Sequence, residues 1–118
     1  MASLIQYVIV NKEIITKLGW PLGAVIAQCC HATTAVGHQF KDDADVKTYF
    51  GDIDNMHKVV LEIATEDELR KLSEDLVTND IKHKLWIEQP ENIATCIALK
   101  PYEKDSVKKI TRKYKMLK

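Results

Sequence analysis

Short β-branched runs alternate along the chain with stretches in which apolar residues recur every three or four positions. Residues 5–10 read IQYVIV, a run far too short to span a membrane and suited to a buried first strand. Residues 11–20 follow as a loop holding Gly19, and Pro21 stands where the first turn of a helix tolerates proline. Leu22, Val25, Ile26, Cys29, Thr33 and Val36 then recur at helical spacing, with Gly37 as the expected stop. Residues 42–50 are polar and acidic and predict a short helix, turned at Gly51 and Asp52. Residues 58–63 (KVVLEI) predict a second buried strand. Thr65-Glu66-Asp67-Glu68 is a capping box opening a helix whose stripe is Leu69, Leu72 and Leu76, ended by Asn79-Asp80. Ile81, His83, Leu85 and Ile87 alternate with Lys82, Lys84, Trp86 and Glu88, which predicts a third strand. Residues 89–94, with Pro90, form a short loop before a fourth strand at 95–99. Val107, Ile110 and Tyr114 mark one face of a last helix.

This order, β-α-α-β-α-β-β-α, predicts one domain over residues 1–118: a three-layer α/β/α fold with a small four-stranded mixed sheet. The first three strands are joined by helical crossovers and should run parallel, with right-handed connections. The link between the third and fourth is too short for a crossover, so the fourth should run antiparallel. In such sheets ligands bind outside the carboxyl ends of the parallel strands. That edge gathers residues 23–31, Glu88 and Thr95.

Composition narrows the class without deciding it. Of 118 residues 46% are hydrophobic and 29% charged, a globular composition and not a disordered one. Seventeen basic residues balance seventeen acidic ones. The zero hides a segregation, because residues 100–118 hold eight basic and two acidic side chains while residues 1–99 hold nine and fifteen. A basic last helix can meet phosphates locally, in a salt-dependent way, although its lysines equally suit a plain wet face. Three cysteines, Cys29, Cys30 and Cys96, do not make a disulfide framework. With no basic leader at the amino end, the expectation is a reduced, cytoplasmic protein off the membrane. Cys-Cys-His at 29–31 is a poor metal set, since successive helical side chains point ~100° apart. No metal and no cofactor are expected.

The charge-free stretch from Leu18 to Phe40 is the most informative. Leu22, Val25, Ile26, Cys29 and Val36 fall on one side of its helix, and Ala24, Gln28, His31 and Ala35 on the other. A solvated face would carry Lys or Glu. This one suits either a helix buried on two sides or a surface that something approaches closely. Read alone, Glu88 is an ordinary strand end, Thr95 a strand former, and Trp86 a core or helix-packing residue rather than a stacking platform.

Two motifs carry a resemblance. The run from Gly23 to Ala32 (GAVIAQCCHA) resembles the G-K-x-A-A-Q-x-x-H-A signature of the type-2, archaeal and eukaryotic, peptidyl-tRNA hydrolases. The run from Thr95 to Pro101 (TCIALKP), followed by a basic helix and Tyr-Lys-Met-Leu, resembles that family's last strand and helix. The segment from Leu85 to Leu99 (LWIEQPENIATCIAL) is similar to one branch of it, the peptidyl-tRNA hydrolase domain-containing proteins. The resemblance implies metal-independent hydrolysis of the ester joining a peptide to the terminal ribose of tRNA. Gln28, His31 and Thr95 match the family's motif residues, and Glu88 falls at its D-A-G aspartate. The tRNA is the implied partner, with Lys12, Lys17, Lys108, Lys109, Arg112 and Lys113 as candidate phosphate ligands; self-association into a homodimer stays open. Three departures stand out: Ala24 replaces the family's lysine, Glu88-Gln-Pro90 replaces D-A-G, and the following loop is about five residues shorter by alignment. The resemblance therefore implies either a working esterase or a tRNA-end-binding or protein-interaction adaptor that has lost the chemistry.

Overall fold

A computed structural model describes residues 3–118 of the chain. The strands are β1 (Leu4–Asn11), β2 (Lys58–Ile63), β3 (His83–Glu88), β4 (Ile93–Leu99) and β5 (Tyr102–Glu103). The helices are α1 (Glu13–Thr16), α2 (Leu22–Gln39), α3 (Ala44–Gly51), α4 (Glu66–Thr78) and α5 (Lys104–Thr111). The main sheet runs β2-β1-β4-β3. β1 and β2 are parallel, and β4 is antiparallel to both β1 and β3, which leaves the first three strands parallel as expected. The fifth strand is an addition. β5 pairs with Leu4 and Ile5 of β1, taking up the same side of β1 that β4 leaves at Lys100.

The sheet separates two apolar layers. Leu69, Leu72 and Leu76 of α4 and Val107 of α5 pack on Ile9, Ile97 and Leu99. On the other face Val25, Ala32 and Val36 of α2 pack on Val8, Val10, Cys96 and Ala98. Alternate residues of β1 and β4 thus feed opposite layers, the period-two logic of a sheet buried on both faces. The outer side of β2 is covered by the carboxy-terminal segment, where Lys115 accepts from the Glu62 amide and Leu117 donates to Val60. Among the described residues no helix is long and apolar enough to cross a membrane.

Several boundaries differ from the sequence expectation, each for a physical reason. The expected loop after β1 holds the short helix α1, which Asn11 opens by accepting the Glu13 amide at 2.9 Å. α2 passes through Gly37 instead of stopping there. A Cβ at Gly37 would stand 3.0 Å from the Phe50 ring, so glycine serves close packing against α3. Gly19, at φ +67°, is the glycine that a turn requires. β3 begins at His83, leaving Ile81 and Lys82 outside it, and β4 begins at Ile93, two residues early. The β3–β4 loop is therefore only residues 89–92, closed by a 2.8 Å bond from the Asn92 amide to the Glu88 carbonyl.

Thr65 caps α4 as expected, its hydroxyl accepting from the Glu68 amide at 3.1 Å. Thr65→Ala should lower stability by ~1 kcal/mol in urea denaturation. An unchanged midpoint would assign that helix start to the Glu66 amide bond on Glu13 Oε1, at 2.7 Å, instead.

Candidate active site

The site lies where three elements meet at the carboxyl end of the parallel strands. β3 delivers Trp86 and Glu88, α2 delivers Gln28 and His31, and β4 delivers Thr95. The start of β4 is held firmly there. Asn11 Nδ2 donates to the Ala94 carbonyl at 3.0 Å, and the Ala94 amide donates to Glu66 Oε2 at 3.0 Å.

A register shift places Thr95. Trp86 pairs with Cys96 and the next residue, Ile87, pairs with Ala94, so Thr95 is the extra residue of a bulge. A bulge re-aims a side chain that regular alternation would send elsewhere. Here both Thr95 and Cys96 turn toward α2: Thr95 Oγ1 donates to Gln28 Oε1 at 3.0 Å, and Cys96 Sγ donates to the Gln28 carbonyl at 3.3 Å.

Gln28 is 2% exposed and Thr95 fully buried. With its oxygen held by Thr95, the Gln28 amide must present its nitrogen outward, and Nε2 donates to Glu88 Oε2 at 3.1 Å. Trp86 Nε1 donates to the other carboxylate oxygen, Oε1, also at 3.1 Å. Glu88 thus has one donor on each oxygen. Hydrogen bonding from Gln28, then from Trp86, holds its pKa below the usual glutamate value, and the nearby His31 adds to this. The ionised form is the one the site is built around. His31 is exposed and stacks on Trp86, ring centroids 4.9 Å apart and planes at 25°.

The four residues nominated from sequence, Gln28, His31, Glu88 and Thr95, therefore stand in one connected group. Trp86 was missed. It does pack in the α2-side layer as expected, but its indole also bonds Glu88 and stacks on His31. The available signal was its position two residues before Glu88, hence on the same face of the strand.

The candidate phosphate ligands are dispersed. Lys12 is engaged, its ammonium 3.0 Å from Glu62 Oε1 and 2.8 Å from the Lys118 carbonyl. Lys17 is exposed, 3.9 Å from Glu13, in the segment between α1 and α2 at the site-bearing edge. Lys108, Lys109, Arg112 and Lys113 are exposed, but α5 packs in the layer opposite α2. The sheet stands between them and Glu88. Ala24, half-buried in the first turn of α2, brings no charge to the site.

Comparison with known proteins gives the class. The family model described as Peptidyl-tRNA hydrolase PTH2 matches residues 4–117, and the chain belongs to that family. Two curated relatives, from Mus musculus and Homo sapiens, both bear the name "Putative peptidyl-tRNA hydrolase PTRHD1". They are 45% and 44% identical over 116 residues, covering 98% of this chain and 83% of each relative.

Proposed function

We propose that the protein hydrolyses the ester of peptidyl-tRNA, releasing tRNA and peptide, at the group formed by Glu88, His31, Gln28 and Thr95. The observation that carries this reading is the chain of bonds from Thr95 through Gln28 to Glu88, which fixes an ionised carboxylate at the mouth of the site. Hydrolysis needs a held water, a proton carrier for the leaving ribose oxygen and a stabilised oxyanion. In this proposal Glu88 and His31 are the catalytic residues. Glu88 holds and polarises the water through the lone pairs that Gln28 and Trp86 leave free. His31, exposed beside it, takes the water's proton and passes it to the ribose oxygen. Gln28 and Thr95 are positioning residues, too buried to meet substrate. Ala24 brings no cation to the developing oxyanion where the family has its lysine, so a modest rate is expected. Lys17 is the candidate phosphate ligand at this edge. A reaction on tRNA accords with the expected cytoplasmic location.

Ala24 favours a second reading, an adaptor that binds the tRNA end without cleaving it. The two separate in one experiment, in which purified full-length protein is incubated with peptidyl-tRNA and free tRNA is followed. Turnover above the uncatalysed rate is expected. Binding without any release at stoichiometric protein would establish the adaptor and end the hydrolase reading.

A further inference from the structure

At the end of the sheet where β1 and β2 begin, away from Glu88, an open hollow of about 360 Å³ separates α2 from α3. Gln6, His38, Phe50, Met56 and Lys58 are among the residues around it. The lining brings one ammonium, Lys58, and no carboxylate. Lys58 Nζ donates to Gln6 Oε1 and, at 3.2 Å, to Tyr49 Oη. Both acceptors are aimed by other bonds. The buried Gln6 gives its Nε2 to the Leu99 carbonyl at 3.1 Å, and the Tyr49 hydroxyl gives its proton to the His57 carbonyl at 3.0 Å. Each therefore presents only oxygen lone pairs to Lys58, and each is neutral, burial having raised the Tyr49 pKa. None of the ion pairs among the described residues includes Lys58. A lysine nitrogen has three positions beyond its carbon, and two of them meet these acceptors. In the free amine the third is the lone pair; in the ammonium it is a further N–H on an uncompensated charge. Burial accordingly lowers the Lys58 pKa from the usual lysine value. The Tyr49 ring, its centre 4.9 Å from Nζ, pulls toward the cation, and His38 is the other titratable side chain of the lining.

We propose that Lys58 is a modification site, acylated by short-chain acyl thioesters that enter this hollow. The amine lone pair attacks the thioester carbonyl. The C–N bond forms, the C–S bond breaks, and the proton lost by nitrogen leaves on the thiolate. The products are one amide at Lys58 and one free thiol. A desolvated amine without a counter-ion is the form that can attack, since a protonated one has no lone pair to give. Phe50 and Met56, both partly exposed at the rim, offer apolar contact to a short acyl chain. The modified nitrogen keeps a single N–H and no charge. It can then serve only one of Gln6 and Tyr49, so acylation loosens the corner that ties α3 to β1 and β2. The inference is independent of whether the protein cleaves esters at Glu88.

The full chain is treated briefly with S-acetyl-N-acetylcysteamine, a neutral acetyl thioester, at about pH 7.5 and at about pH 10. Hydroxylamine then strips thioesters from the cysteines, and amide acetylation is mapped by mass spectrometry at limiting extent. Each pKa unit is tenfold in free amine at neutral pH, so at pH 7.5 Lys58 should lead the exposed Lys108 and Lys109 by about threefold or more. The lead should shrink at pH 10, where the exposed lysines also shed their protons. Met56→Ser admits water to the rim without touching either acceptor of the amine. It should cut the lead by about half, with melting temperature confirming folded protein. Equal acetylation of Lys58 and the two α5 lysines at pH 7.5, or a lead independent of pH, would overturn the proposal. A lead that fails to fall in the folded Met56→Ser variant would overturn it too, because access and not desolvation would then set the rate.

Discussion

Replacing Glu88 with glutamine should lower the rate of tRNA release by about a hundredfold or more, the usual scale for losing a positioned acid–base group. The substitution preserves size, yet it inverts one bond. Both carboxylate oxygens now accept, from Gln28 Nε2 and from Trp86 Nε1. An amide can accept at only one of these places and must turn an NH₂ toward the other donor. Gln28 can flip to compensate only if the Thr95 hydroxyl gives up its bond to Gln28 Oε1 and turns from donor to acceptor. The loss should therefore appear in kcat, with melting temperature little changed for a half-buried carboxylate at the sheet edge. The pH profile gives a second reading of the same group. Because the pKa of Glu88 is lowered, the ionised form persists below the ordinary glutamate value of ~4.3. In the difference between the urea midpoints of the native and Glu88→Gln proteins, the Glu88 contribution should therefore disappear only below that value. The stability Glu88 contributes has the same sign: present above the unfolded pKa, lost as pH falls through the folded one. A Glu88→Gln protein that turns over at the native rate would remove the carboxylate from the mechanism.

Leu69→Ala should give the largest stability effect, about 2–5 kcal/mol. Leu69 is fully buried on α4, packed with Ile9, Ile97 and Leu99 beneath the sheet. Truncation there removes apolar contact and leaves a cavity between rigid strands. Out of a typical total of ~5–15 kcal/mol this is a large share, and for a domain of this size it lowers Tm by roughly 8–20 °C. The affected layer lies across the sheet from Glu88. Below its melting point the variant should retain native turnover per folded molecule. A drop under 1 kcal/mol would mean that α4 collapses into the space. A large loss of activity in fully folded protein would mean that the two layers are mechanically coupled.

The two substitutions mark what the sequence makes legible. The α4 stripe, the parallel run of the first three strands and the antiparallel fourth follow from period and from connection length, both of which are local properties. Gln28, His31, Glu88 and Thr95 were legible because motif resemblance and the sheet-edge rule point to the same residues. Three features were not. The short helix after β1 depends on Asn11 and on a bond from the Glu66 amide to Glu13, a contact fifty-three positions away. The passage of α2 through Gly37 depends on the Phe50 ring, which no helical period can announce. The aim of Thr95 at Gln28 depends on a shift of register between two strands, invisible to the alternation of either one alone. The basic carboxy-terminal helix is the reverse case. Its charge was obvious, but which layer it joins is decided by Val107 packing with the α4 leucines.

The bulge at Thr95 also bears on how such a site can change over generations. The neighbours of Thr95 divide between the layers: Ile93, Cys96 and Ala98 face α2, while Ala94, Ile97 and Leu99 face α4. Thr95 belongs to neither apolar set. An inserted residue of this kind lets selection act on the chemistry of the strand separately from its packing. A lineage could exchange the hydroxyl, or mute the site and keep the fold for binding, while every core residue of β4 stayed in place.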